Sequence, residues 1–114
     1  MASLQELADE AYDTAISKGW YSIGDNRSFG ELIALIHSEL SEALESWRNK
    51  EACIWHEEDS KGNFKPMGWG SELADVIIRT MDLATYQRLN IEALVIEKME
   101  YNKTREYRHG GKKI

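Results

Sequence analysis

The sequence predicts an all-α domain of four helices, and three observations carry that prediction. Apolar residues recur at helical spacing through four stretches. Serine or asparagine stands where an N-cap is needed before three of them, at Ser3, Ser28 and Asn90. Glycine, proline or clustered polar residues mark the breaks between them. At 114 residues, the chain makes a single domain over 1-114 with a modest core.

The first helix opens at Ser3, with Glu6 completing a capping box, and carries Leu4, Leu7, Ala8, Ala11, Ala15 and Ile16 on one stripe. Lys18 and Gly19 end it. Trp20 and Tyr21 follow at the turn, either as a plug for the end of the bundle or as a stacking wall for a planar base. The second helix begins with a capping box of Ser28 and Glu31 and runs to about Asn49. Residues 50–68 break the periodicity. Within them Ile54–His56 and Asn63–Lys65 are expected to pair as a short hairpin around the polar turn, and Pro66 excludes a helix. This long segment is a candidate lid, substrate wall or oligomer contact. The third helix spans about Trp69 to Arg88, and a tight break at Asn90 makes the fourth its antiparallel neighbour. A basic tail, about 106–114, reads as a flexible terminus or as a phosphate clamp.

Composition removes several function classes. Hydrophobic residues make up 42% of the chain, so it is globular rather than disordered. A formal net charge of −6 argues against non-specific binding to nucleic acid or to an anionic membrane. The one cysteine, Cys53, has no internal disulfide partner, which fits a reducing cytoplasm. No apolar run approaches a membrane span, and the N-terminus lacks the regions of a signal peptide. A cytoplasmic location is expected.

Two acidic pairs stand out, Glu39 with Glu42 and Glu72 with Asp75. Residues three apart share a helix face, so each pair offers two carboxylates to one neighbour. In the second helix Leu32, Leu35, Ile36, Leu40, Ala43, Leu44 and Trp47 form the apolar arc, with Glu39 inside it and Glu42 at its edge. In the third, Leu73, Val76, Ile77, Thr80, Met81, Leu83 and Ala84 form the arc; Glu72 borders it and Asp75 lies one step further out. A carboxylate in an apolar stripe is costly unless a cation meets it. Four hard oxygen donors suit magnesium, with manganese as a substitute. Acidic pairs are also common on solvated helix faces, and one pair alone would carry little weight.

In the fourth helix Lys98, Asn102 and Arg105 continue the stripe begun by Ile91, Leu94 and Val95. That line is either a binding surface or a core edge along which long stems snorkel. His37 lies off the far edge of its arc, as a polar neighbour of the site. A di-iron bundle would need Glu-x-x-His on two helices. Only His109 has a glutamate three residues before it, in the basic tail, so di-iron chemistry is disfavoured.

The acidic pairs, the runs Leu35–Glu45, Lys65-Pro66 with Ser71–Arg79, and Tyr101–Arg105 resemble the MazG-like all-α nucleoside triphosphate pyrophosphohydrolases, over roughly residues 15 to 113. The resemblance implies a MazG-like four-helix bundle completed by oligomerisation, as a homodimer or a dimer of dimers. It implies magnesium-dependent hydrolysis of nucleoside triphosphates, dNTPs among them, to the monophosphate and pyrophosphate, as in clearing unwanted dNTPs from the pool. Glu39, Glu42, Glu72 and Asp75 match the family's metal ligands. Lys98, Asn102 and Arg105 match more loosely the side chains that members use on the triphosphate. Two alternatives stay open: a non-catalytic helical oligomer that binds nucleotide or protein, and a phosphoribosyl-ATP pyrophosphohydrolase.

Overall fold

The computed structural model describes residues 1–22, 24 and 27–105. Four helices and one two-stranded sheet follow in the order α1 (Leu4–Ser17), α2 (Phe29–Arg48), β1 (Trp55–Glu58), β2 (Phe64–Met67), α3 (Trp69–Tyr86) and α4 (Ile91–Lys103). The protein is therefore mostly helical, as the periodicity predicts. The basic tail lies outside the described residues. Among those described, no helix is long and apolar enough to cross a membrane.

Local chemistry sets the helix starts. Ser3 accepts the Glu6 N–H while the Glu6 carboxylate takes the Ser3 N–H, so the first capping box forms in full. At α2 the box is only half made. Ser28 Oγ accepts the Glu31 N–H, but the Glu31 carboxylate takes the Ser28 hydroxyl, at 3.3 Å, in place of its N–H. Asn90 caps α4 through the Ala93 N–H at 3.0 Å. The first turn of α1 is also capped from afar, because Glu92 Oε1 accepts the Leu4 N–H at 2.9 Å. That carboxylate satisfies an orphan donor and complements the helix dipole, and so ties α4 to α1.

The expected hairpin exists, in a shifted frame. Trp55 pairs with Met67, His56 with Pro66, Glu57 with Lys65 and Glu58 with Phe64. Asp59 sets this register. Its carboxylate accepts the N–H groups of Lys61 and Asn63, each at 2.9 Å, and its own N–H donates to Asn63 O at 2.8 Å. The loop closes at Gly62, where φ is +84°. Pro66, a signal against a helix, sits inside β2 opposite His56, which an exposed two-stranded ribbon tolerates.

Helix α3 is the spine. It packs against α1 on one side and α2 on another, while α1 and α2 do not contact each other; α4 rests on α1 and α3. Ala8, Leu32, Ala43, Met81, Leu83 and Ala84 are buried along these seams. Tyr21 plugs one end, stacked on Tyr86 with ring centroids 4.2 Å apart and 5.7 Å from Tyr12. Its hydroxyl donates to Asp82 Oδ1 at 2.7 Å.

The predicted apolar arcs are only partly buried. On α2 the face turned to α3 holds Leu32, Glu39, Ala43 and Ser46, whereas Leu40, Leu44 and Trp47 are exposed. On α3, Leu73 and Ile77 are exposed too. The reason is geometric: the arcs are wider than the single seam each helix forms within one chain.

Gly68 joins the hairpin to α3 with φ at +98°, and a Cβ there would collide with the carbonyl oxygens of Cys53 and Ala52. Gly68→Ala should therefore cost about 2 kcal/mol or more, from the left-handed backbone and the collision together. Urea denaturation with unchanged helical circular dichroism at zero denaturant would show it; a midpoint equal to the wild type would refute this account of the joint.

Candidate metal centre

Glu39 is the buried carboxylate of the α2–α3 seam, at 8% exposure. Glu72 and Asp75, half-buried, project from the first turns of α3 on the facing side. Each of the three offers an oxygen within 4.8 Å of the others'. The proximity of Glu72 to the helix N-terminus favours a negative group there. Glu42, one turn along α2 from Glu39, is exposed and is not part of the converging set. It still lies close enough to Glu72 to raise the pKa of that residue.

Crowding shows in the electrostatics. Burial, then the contacts with Glu39 and Glu42 and the charge of Asp75, raise Glu72 from 4.5 to about 7. Burial and Glu39 raise Asp75, against the opposing charges of Arg79 and Lys65. Asp82, one turn beyond Arg79, is raised by burial, with the Tyr21 hydroxyl and Arg79 opposing. Oxygen Oε2 of Glu72 is buried and has no hydrogen-bond partner among the described residues. A buried carboxylate oxygen of this kind needs a proton or a cation. The donor set, all carboxylate, fits a hard divalent ion of the magnesium type.

One cation is already present. Arg79 Nε donates to Glu39 Oε1 at 2.8 Å, and its guanidinium carbon lies 5.0 Å from the Trp20 ring centroid. The guanidinium carbon of Arg27 lies 4.0 Å from the same centroid. Trp20 and Arg79 both line a cavity of about 220 Å³ that reaches Asp75 and a second of about 530 Å³ against α2 at Ala34 and Leu35. Trp20 thus differs from its neighbour: Tyr21 is the plug, and Trp20 is a cleft wall.

The remaining candidates are placed elsewhere. His37 is exposed, and no bond joins it to the acidic group among the described residues. Lys98 and Asn102 are exposed on α4, which does not contact α2, and Arg105 is exposed just past the end of that helix. The Lys98 ammonium and the Arg105 guanidinium lie 5.7 and 6.0 Å from the Tyr101 ring. Arg79 and Lys65 were not assigned roles by sequence reasoning. Arg79 stands four residues after Asp75, one helical turn along the same face, and this spacing is the signal that would have found it. Lys65 reaches Asp75 only because of the hairpin, and no spacing rule points to that.

The raised carboxylates make stability depend on pH. With Glu72 at about 7 rather than 4.5, the native chain keeps a proton that the unfolded chain releases between those values. The associated stability is fully present below the lower value and lost as pH rises through the higher one. Asp75 and Asp82 act in the same direction. In chelator, urea midpoints should fall across this window, Glu72→Gln should make the fall shallower, and added magnesium should restore stability above it. A flat wild-type profile would contradict the crowding. No family model, curated protein or solved structure matches this chain, so the reading of the centre stands on its geometry and its sequence pattern.

Proposed function

We propose that the chain is a magnesium-dependent hydrolase of nucleoside triphosphates, dNTPs included, that releases the monophosphate and pyrophosphate. The observation that carries this reading is the convergence of Glu39, Glu72 and Asp75 from two helices to within 4.8 Å, with a buried, unpartnered Glu72 oxygen among them. Such a donor set suits a cation that in turn suits phosphate oxygens. The resemblance of the acidic pairs to MazG-like pyrophosphohydrolases supplies the substrate class.

In this mechanism Glu39, Glu72 and Asp75 would hold the ion. Magnesium supplies charge neutralisation and Lewis acidity to a phosphoryl group. Glu42, exposed beside Glu72 and outside the converging set, orients a water and accepts its proton as the water oxygen bonds to the α-phosphorus. The bond from that phosphorus to the α–β bridging oxygen breaks, and pyrophosphate departs with the electron pair. No side-chain nucleophile is needed, so catalysis is positioning and electrostatic stabilisation. The single half-buried thiol, Cys53, accords with a cytoplasmic enzyme.

The functional unit in this reading is a homodimer or dimer of dimers. Leu40, Leu44 and Trp47 form an i, i+4, i+7 stripe on α2 that is 45%, 50% and 62% exposed. Among the described residues, no large side chain is fully buried. An apolar stripe of this kind is what a helix presents to a partner. Lys98, Asn102 and Arg105 would then contact the triphosphate across a helix interface between copies, since α4 does not touch α2 within one chain.

Pyrophosphate release from a panel of canonical and modified dNTPs and NTPs, with magnesium and with chelator, tests the reaction. Magnesium-dependent pyrophosphate with matching monophosphate is expected; orthophosphate release would break the α-phosphorus mechanism. Silence across the panel, followed by turnover of phosphoribosyl-ATP, would transfer the reaction to that substrate. Glu39→Gln and Asp75→Asn should each lower kcat by about a hundredfold or more while helical circular dichroism persists. Leu44→Glu should reduce the mass in sedimentation to that of one chain, and a wild type that already sediments as a monomer would refute the assembly.

A further inference from the structure

The carboxylate centre accounts for Glu39 and Asp75 but not for the cations gathered beside them. Arg79 has five N–H donors, and the bond to Glu39 engages only Nε. Its two Nη groups make no hydrogen bond or ion pair to a described residue. Two contacts fix the guanidinium in place. Glu39 holds one edge at 2.8 Å, and the Trp20 ring lies 5.0 Å from its carbon. A fork held in this way loses little freedom when it binds, and its Nη pair matches two oxygens of one phosphate.

The setting of that fork selects an anion. The cavity of about 220 Å³ beside it is lined by Lys18, Trp20, Asp75, Arg79 and Asp82. Asp75 belongs to the carboxylate centre as well, so a ligand joined to the centre through one phosphate would have its next phosphate in this cavity. Of the two acids in the wall, Asp82 already accepts the Tyr21 hydroxyl at 2.7 Å. Asp75 turns to the centre. Lys18 and Arg79 are the cations of the wall. A second guanidinium, that of Arg27, lies 4.0 Å from Trp20, so the ring works as a platform for arginines rather than as a bare stacking face.

We propose that Arg79, braced by Glu39 and Trp20, is the principal ligand of a polyphosphate subsite between α1 and α3 that receives the pyrophosphate end of the substrate. The identity of the anion rests on the hydrolase reading; the subsite itself rests on the fork and its cavity. Arg79 therefore has two tasks. It orients a carboxylate of the centre through Nε, and it binds the departing group through Nη.

Inorganic pyrophosphate is the probe, titrated calorimetrically into the whole protein in magnesium and again in chelator. Arg79→Gln is expected to weaken binding about tenfold or more, and Arg79→Lys to weaken it several-fold because a point charge replaces the fork. Lys103→Gln, on an exposed residue paired with Glu100, should bind as the wild type does. Pyrophosphate should also change tryptophan emission in the wild type and not in Trp20→Phe. If Arg79→Gln fails to fold, Arg79→Lys decides the matter: affinity equal to the wild type overturns the proposal. Absence of pyrophosphate binding to the wild type in both conditions overturns it as well. The two readings fail separately. Pyrophosphate binding lost in Arg79→Gln without any triphosphate turnover upholds the subsite and defeats the hydrolase, whereas turnover with Arg79-independent pyrophosphate binding defeats only the subsite.

Discussion

Crowded negative charge at the seam of α2 and α3 is the constraint on which the rest of the structure depends. Glu39 is buried there and faces Glu72 and Asp75 across the helix contact. Like charges this close raise one another's pKa rather than ionise together, so such a seam calls for bound protons or for positive charge. Among the described residues, two cations meet these acids. Arg79, on the same helix as two of the acids, bonds the third; Lys65 acts on Asp75 from the hairpin. Their charge is less than that of the acids; burial first, and then the neighbouring carboxylates, raise Glu72, whose buried oxygen meets no donor among the described residues.

The other elements hold this seam in register. Gly68 lets the hairpin turn into α3 at a point where any side chain would meet the backbone of Ala52 and Cys53. Gly70 donates its N–H to Cys53 O at 3.0 Å, which closes the same joint. Asp59 fixes the hairpin frame and so determines that Lys65, opposite Glu57, is the residue presented near Asp75. At the other end Tyr21 stacks on Tyr86 and bonds Asp82, which leaves Trp20 at the mouth of the cleft between α1 and α3. An acidic group that could hold a cation borders a cleft whose wall carries arginine and lysine, and the proposed phosphate chemistry would use the two side by side.

The arrangement around α3 also explains the surface. With α1 and α2 on separate sides of the spine and out of contact, one chain cannot close a bundle over the outer face of α2. Leu40, Leu44 and Trp47 remain in the open for that reason, and not because their spacing is irregular.

Read as sequence alone, the chain determined what depends on near neighbours. Ser3, Ser28 and Asn90 cap helices through N–H groups three residues away, so those starts were legible; so was the sharing of a face by Glu39 with Glu42 and by Glu72 with Asp75. The hairpin was legible as a hairpin, but its frame was not, because the side chain of Asp59 makes the deciding bonds inside the turn. Tertiary structure alone decided that Glu39 would meet Glu72 and Asp75 while Glu42 stayed in water. It also decided that Arg79 would bond a glutamate 40 positions earlier, and that Trp20 rather than Tyr21 would line the cleft. Helical spacing says which residues share a face; which part of that face meets another helix is set by packing between segments distant in the chain.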